Sequence, residues 1–508
     1  MARGRISCPA AGHNPGTQVH HRSLKGNARS RAWRCLPALV ATLLATGCGR
    51  STPPAPVATG WKPSARETAF LDTLERRTFD FFWERTNPRN GLTPDRWPTK
   101  SFSSIAAAGF ALGAYPIGVE RGYISREQAR ERVLTTLTFF WKAPQGAAAA
   151  GMTGHQGFFY HFLDMETGKR FEDVELSSID TTLLLGGILF CQVYFDRADA
   201  GEAAIRAYAD SIYRRVNWRW FQARAPLVSM GWHPPNSFLD HDWRGFNEAI
   251  LLYVLALGSP TYPLSPAAWN AWTSTYEWGE FHGQEHLGFA PLFGHQYSHA
   301  FIDLRGIHDT YMRRKGIDYF ENSRRATYAQ RSYAIANPGK WNGYGAESWG
   351  LTAVDGPADT TLEIEGRTRR FMEYAARGAA FNEIRDDGTI APTAAGGSLP
   401  FAPEITLPTL IAMREKHGDA LFGQYGFLDA YNETFPGDHA PGMGRTIPGR
   451  GWYDTDYLGI DQGPILLMAE NYRTGLVWNY MKKHPVIIRG LRRAGFTGGW
   501  LDQAPAVK

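Results

Sequence analysis

The sequence predicts an all-α protein, a double ring of helices of the (α/α)6 toroid type. Three observations predict it. About a dozen segments carry apolar residues at helical spacing, with no run of alternating strands between them. Several of those segments are apolar nearly all round, as in Thr181-Thr-Leu-Leu-Leu-Gly-Gly-Ile-Leu-Phe190, so they are buried on most sides. Long loops rich in Gly, Pro, Trp, Tyr and His separate them at 231–246, 337–360, 387–404 and 436–459. In a double ring the inner helices are apolar on both sides and the loops at one rim build a cleft. A helical solenoid is the alternative arrangement, but no fixed-period repeat is present.

Taken in order, the first helix is marked by Ala69-Phe70, Leu74, Phe79 and Phe81-Phe82-Trp83, which recur near helical spacing. Further helices are predicted at 105–117, 126–142, 178–196, 202–216, 247–258, 267–275, 302–315, 323–335, 365–379, 405–416, 422–432 and 460–482. No linker interrupts the chain after residue 67, so residues 67–497 read as one domain and 498–508 as a short tail. The 508 residues are 43% hydrophobic and 13% aromatic, a globular composition with material for a large core.

The net charge of +5 is unevenly placed. Residues 1–66 contain no Asp or Glu and ten of the 54 basic residues, leaving 44 basic against 49 acidic residues beyond them. A mildly acidic body argues against a nucleic-acid surface. A basic stretch ending at Arg31-Ala-Trp-Arg34 is followed by the apolar run Leu36–Leu44 and then Ala45-Thr-Gly-Cys48. This is the layout of a secretory signal over 1–47, too short in its apolar part for a span of about 20 residues. Small residues before a cysteine resemble a bacterial lipobox, which makes Cys48 the expected lipidated residue. Residues 48–66, with Ser51-Thr-Pro-Pro-Ala-Pro56, then form a Pro-rich tether. The expected location is periplasmic or on the outer membrane of a bacterium, with membrane contact only through the lipid. Cys191 sits in an apolar run and reads as a packed thiol.

Motifs of several other enzyme classes are missing from the sequence. There is no phosphate-binding Gly loop, nucleotide fingerprint, HExxH pair, CxxC or GxSxG elbow. His295 and His299 are four residues apart but lack a metalloprotease Glu, so hydrogen bonding to substrate or loop packing is expected of them rather than zinc. No metal or cofactor is expected. Three carboxylates instead open apolar helices: Asp180 after Ser177-Ser-Ile, Glu248 at the end of Asp240-His-Asp-Trp-Arg-Gly-Phe-Asn-Glu248, and Asp461 in Tyr457-Leu-Gly-Ile-Asp-Gln-Gly-Pro464. Any one of them could be helix-start charge placement. Three in one chain suggest a shared carboxylate-lined rim, because burying a carboxylate ahead of unbroken hydrophobics is costly. Trp232, Trp243, Tyr297, Trp341, Tyr344, Trp349, Trp452, Tyr453 and Tyr457 lie in loops beside Gly and polar residues, and flat rings with a polar edge suit sugar faces. Glycosidic hydrolysis needs two carboxylates, an acid and a base or nucleophile.

Several collinear segments resemble one known family. They are Trp243-Arg-Gly-Phe-Asn-Glu248 with Leu255-Ala-Leu-Gly-Ser-Pro260, Phe293-Gly-His-Gln-Tyr-Ser-His299 with Ile302-Asp-Leu-Arg-Gly306, Trp349-Gly-Leu-Thr-Ala353 with Asp355-Gly-Pro357, Asp387-Gly-Thr-Ile-Ala-Pro392 with Phe401-Ala-Pro-Glu404, and Gly459-Ile-Asp-Gln-Gly-Pro464. The family is the bacterial glucoamylase-like family of endo-β-1,2-glucanases, glycoside hydrolase family 144, and the resemblance covers about residues 67–497. It implies the (α/α)6 fold, inverting hydrolysis of β-1,2-glucan or sophoro-oligosaccharides, either internally or by release of sophorose, and no metal. It also implies Glu248 as general acid, with Asp180 and Asp461 as candidates for the base. Glu175, Trp243, His295, Asp303, Arg305, Trp349, Glu404 and Gln462 are expected as sugar-binding or supporting groups. A glycan-binding lipoprotein without catalysis, a glucoamylase-type glycosidase and a polysaccharide lyase are the competing readings.

Overall fold

A computed structural model describes residues 61–506. The signal segment 1–47, Cys48 and most of the tether 48–66 lie outside the described residues. Sixteen α-helices run in order as α1 (Ala65–Arg85), α2 (Ile105–Glu120), α3 (Arg126–Lys142), α4 (Ser178–Tyr194), α5 (Ala200–Arg215), α6 (Ile250–Gly258), α7 (Ala267–Thr273) and α8 (Tyr297–Phe301), followed by α9 (Thr310–Lys315), α10 (Tyr319–Ala336), α11 (Pro392–Gly396), α12 (Pro403–His417), α13 (Gly459–Arg473), α14 (Leu476–Met481), α15 (Pro485–Arg493) and α16 (Gly499–Gln503). The protein is helix-rich, and no helix among the described residues is long and apolar enough to cross a membrane.

Two kinds of helix alternate. α1, α3, α5, α10 and α12 keep one polar face, whereas α2, α4, α6, α8, α11 and α13 are buried over most or all of their length. Of the polar-faced helices, α1, α3, α5 and α10 start on side-chain caps. Ser64 with Glu67, and Ser125 with Gln128, form reciprocal capping boxes that satisfy the free amides of the first turn. Among the buried helices, α2 packs on α4 and α13, α8 touches α4, α6 and α13, and α11 lies on α13. The α2–α4 contact is a backbone-to-backbone approach: a Cβ at Gly187 would lie 2.0 Å from the Gly109 carbonyl oxygen, and one at Gly109 2.4 Å from that of Leu183. Glycine is required at both positions for lack of space.

The strands depart from the all-helical expectation. Twenty-two short strands occupy the loops, and the largest sheet orders Gly154–His155, Phe158–Tyr160, Leu176–Ser177, Gly231–His233 and Ser237–Phe238 in antiparallel succession. Residues 365–379 are not a helix. Glu365 and Gly366, both at positive φ, turn a hairpin between Thr360–Ile364 and Arg367–Phe371. Residues 422–432 are likewise extended, with Phe422–Gly423 paired to Gly426–Phe427. Within 302–315 only α9 is helical, and 460–482 divides at Thr474–Gly475 into α13 and α14. The expected tail is partly structured: α16 docks through Trp500, whose indole N–H donates to the Asp303 carbonyl at 2.9 Å.

These strands launch the buried helices. Ser103–Ser104 leads into α2, Leu176–Ser177 into α4 and Tyr457–Leu458 into α13, and Ser104 and Ser177 cap the helices they precede. Arg96–Trp97 pairs with Tyr457–Leu458, and Ser103–Ser104 with Phe162–Leu163, so segments far apart in sequence are stitched together where the buried helices begin. Gly187→Val places methyl groups against the α2 backbone. It is expected to lower stability by at least roughly 1–3 kcal/mol, read as a fall in the thermal midpoint; an unchanged midpoint would contradict the close packing.

Candidate active site

The starts of α4, α6 and α13 each deliver one carboxylate: Asp180 and Asp461 in the first turns of α4 and α13, and Glu248 in the turn before α6. All three are buried, at 4%, 2% and 8% exposure. The phenol of Tyr297, at the start of α8, reports their convergence: after burial itself, the charges of Asp461, Glu248 and Asp180 contribute to holding its proton well above the usual tyrosine range. Ser298 ties the same region together by donating its hydroxyl to the Glu248 carbonyl at 2.6 Å.

Glu248 is a carboxyl poised to hold a proton. Burial raises it from the ordinary range to about 7, and the nearby charge of Asp180 adds to that. Its Oε2 has no hydrogen-bond partner in the protein. Asp180 is differently placed. Ser177 Oγ lies 2.5 Å from its Oδ2, and His161 Nε2 lies 3.5 Å from its Oδ1. His161 Nδ1 is in turn 2.8 Å from Glu175 Oε1. Burial would drive His161 neutral, but the charges of Asp180 and Glu175 override it and raise the ring to about 9. Glu175, which burial would raise, is brought down to about 2 by His161.

Asp461 belongs to a second group. Burial pushes its carboxyl up, the hydrogen bond shared with Asp429 opposes this, and the charges of Asp355 and Asp95 add to the rise. Asp355, Asp429 and Asp454 offer carboxylate oxygens that all lie within 4.8 Å of one another. Their donor type would suit a hard cation, but cationic charge is already present: Arg96 donates through Nη1 to Asp355 Oδ2 at 2.6 Å and through Nε to Asp95 Oδ2 at 3.2 Å. Burial and their neighbours' charges push Asp429 and Asp454 well up, which leaves protons to be shared within the group. Asp461 Oδ2, like Glu248 Oε2, has no protein partner.

The other expected residues divide. Glu175 joins the His161 pair. Trp243 supports α4 by donating its indole N–H to Ser178 Oγ at 2.9 Å, and Gln462 fixes the start of α13 by donating to the Phe427 carbonyl at 2.8 Å. The remaining five are engaged by other protein groups, His295, Trp349 and Asp303 in buried positions, Glu404 half-buried and Arg305 exposed. His295, driven neutral by burial to about 3, lies against Phe246 and 3.2 Å from the Phe289 carbonyl. Trp349 is fully buried and donates to Thr409 Oγ1 at 2.8 Å. Asp303 and Arg305 form a bidentate pair just past the C-terminal end of α8, with Arg305 over Trp478 and Lys482 on Asp303. Glu404 opens the polar-faced α12 and meets Tyr328 and Arg324. His299 is a neutral core residue beside Ser323, which with His295 fits packing rather than zinc. Cys191 is a buried thiol on the Leu112 carbonyl, as read from its apolar run.

The aromatics need the same correction. Trp232, Trp349 and Trp452 are core residues with no free face. Partly exposed rings stand beside the carboxylates instead: Phe102, Phe162 and Phe171 stack together, with Phe162 on His161, and Phe289 and Phe293 lead to Tyr297. Sequence reading passed over these phenylalanines, and over Asp95, Arg96, His161, Asp429 and Asp454. None of them opens an apolar helix, the signal by which the other carboxylates were found.

A buried carboxyl raised to about 7, close to a second carboxylate that a histidine faces, is an arrangement that can support acid–base chemistry. Comparison with known proteins places the chain. A family model described as "Putative glucoamylase" matches residues 240–485. A Bacteroides uniformis protein described in the same words is 30% identical, covers 87% of this chain and 100% of its own, and superposes with a TM-score of 0.73. An endo-β-1,2-glucanase from Chitinophaga pinensis, solved with sophorotriose and glucose, is 29% identical over 86% of this chain and 100% of its own, also with a TM-score of 0.73. An exo β-1,2-glucooligosaccharide sophorohydrolase (non-reducing end) of Parabacteroides distasonis is 29% identical over 457 residues, 83% of this chain. The chain spans 57% of the length of that relative. The chain belongs to the bacterial glucoamylase-like family.

Asp180→Asn removes the anion that helps keep Glu248 protonated while leaving His161 in place. The Glu248 carboxyl is therefore expected to titrate below about 7 in that variant, as followed by carboxyl-stretch infrared difference spectroscopy. An unchanged titration would mean that the two groups do not interact.

Proposed function

We propose that the protein is a glycoside hydrolase that cleaves β-1,2-glucan, internally or with release of sophorose, by an inverting acid–base mechanism. The observation that carries this reading is the burial of Asp180, Glu248 and Asp461 at the starts of α4, α6 and α13, three helices that all touch α8. The β-1,2 linkage comes from what the two named β-1,2-glucan-acting relatives are called. The alternation of six buried helices with polar-faced ones supports an (α/α)6 toroid, with the carboxylates at the N-terminal ends of its inner ring.

Glu248 is the general acid in this proposal. It keeps its proton up to about pH 7, and its buried Oε2, which has no protein partner, is the atom proposed to protonate the departing glycosidic oxygen. Asp461 is the favoured base: burial raises it to about 8, so it accepts a proton only while Asp429 holds the one the two share. Asp180, with both oxygens engaged, is the alternative base and otherwise serves as fixed negative charge. Phe102, Phe162 and Phe171 provide stacking surface for sugar rings. The enzyme is proposed to be exported and anchored through Cys48.

Two experiments test this. Purified enzyme incubated with β-1,2-glucan, starch and laminarin should release products from the first alone, and Glu248→Gln should fold normally while losing roughly 10²–10⁴-fold in turnover. Near wild-type turnover in that variant would remove Glu248 from the mechanism. For the anchor, Cys48→Ala should leave the detergent phase in which the wild type partitions; a wild type that is equally soluble would refute lipidation.

A further inference from the structure

We propose that His161 is the positioning residue of this site, an imidazolium that orients the Asp180 carboxylate and favours its ionised form. The inference rests on the hydrolase reading. His161 stands between two strands, Phe158–Tyr160 and Phe162–Leu163, and its main chain is held on both sides. Its N–H donates to the Glu175 carbonyl at 3.0 Å, and its carbonyl accepts from the Ile105 amide at 3.3 Å. The ring lies on Phe162, with centroids 3.9 Å apart, and presents one nitrogen to each of two carboxylates. Carboxylates only accept, so both ring nitrogens are satisfied only when both carry protons. Asp180 then has one oxygen 3.5 Å from His161 and the other hydrogen-bonded by Ser177, so its carboxylate is held from both sides.

The surroundings bear on that proton from several elements. Asp180 faces the ring from α4 and Glu175 from just ahead of the strand Leu176–Ser177, while the charge of Asp95 reaches it from the loop ahead of Arg96–Trp97. Arg96 offsets Asp95, and His233 lies near Glu175. Burial opposes the proton, and the three carboxylates together outweigh burial. Burial already holds the Asp180 carboxyl above its usual range, and without the cation only the Ser177 hydroxyl and the Asp180 main-chain amide oppose that rise. Asp180 would then take up a proton at higher pH, and would compete with Glu248 for the single proton that Glu248 must hold.

The test compares pH profiles of kcat and KM on β-1,2-glucan for wild type, His161→Gln, Asp180→Asn and the double variant. Removing the cation raises the pKa of a neighbouring carboxylate, so the acid limb of kcat/KM should move up by about one pH unit in His161→Gln. Its kcat should fall by about tenfold or more with KM little changed. His161→Gln should cost nothing further in the Asp180→Asn background, since the two act as one unit. Unmoved limbs, or additive losses in the double variant, would overturn the proposal. A second readout needs neither a foldable variant nor turnover. Ring ¹⁵N shifts of the wild type should show His161 doubly protonated at pH 8, while His295 and His299 are neutral. A neutral His161 at that pH refutes the inference even in an active enzyme. A doubly protonated one in a protein inert on β-1,2-glucan would locate the failure in the hydrolase reading.

Discussion

Buried negative charge is the constraint around which this end of the molecule is organised. Asp95, Asp180, Asp355, Asp429, Asp454 and Asp461 are all buried, and the cations among them are Arg96 and His161. A carboxylate taken out of water without a partner is costly enough that it takes up a proton instead. The cluster follows that rule unevenly. Burial raises the Asp180 carboxyl and the neighbouring cation offsets part of that rise, Asp429 and Asp461 share protons, and Glu248 has no cation beside it and remains protonated to about 7. Groups of one chemical type are thereby given different protonation states by their neighbours, as acid–base hydrolysis of a glycosidic bond requires.

The scaffold makes this arrangement sustainable. The carboxylates sit at or just before helix N-termini, where unpaired amides and the helix dipole favour negative charge. The helices that carry them are locked by glycine contacts such as Gly109–Gly187, and their starts are stitched by two-residue strands that join residues 96 and 458, or 104 and 162. Close packing of this kind holds catalytic groups in a fixed geometry, so the stability of the inner helices and the precision of the site are linked.

How much of this the sequence disclosed depends on locality. Asp180, Glu248 and Asp461 were legible because each is a carboxylate set directly against an apolar helix, a conflict visible within ten residues. His161, Asp95 and Asp429 carry no such local signal. Their role arises when the fold brings residues 95, 161, 429 and 461 together, and no window along the chain contains that contact. The helical alternation was legible for the same local reason, whereas 365–379 and 422–432 were misread as helices because glycine turns at Gly366 and Gly426 outweigh their apolar spacing. The loop tryptophans misled in the opposite direction. The loops are thick enough to have a core of their own, which takes in Trp232, Trp349 and Trp452.

The central claim is that the carboxylates at the starts of α4, α6 and α13 surround the scissile bond of a β-1,2-linked glucan. The most direct measurement is a crystal structure of Glu248→Gln with a bound sophoro-oligosaccharide. The account predicts a glycosidic oxygen within about 3.2 Å of the residue 248 side chain, with Asp461 facing a water or substrate hydroxyl on the opposite side of the sugar ring. An oligosaccharide bound productively elsewhere, with no sugar atom within hydrogen-bond reach of Glu248, Asp180 or Asp461, would contradict it.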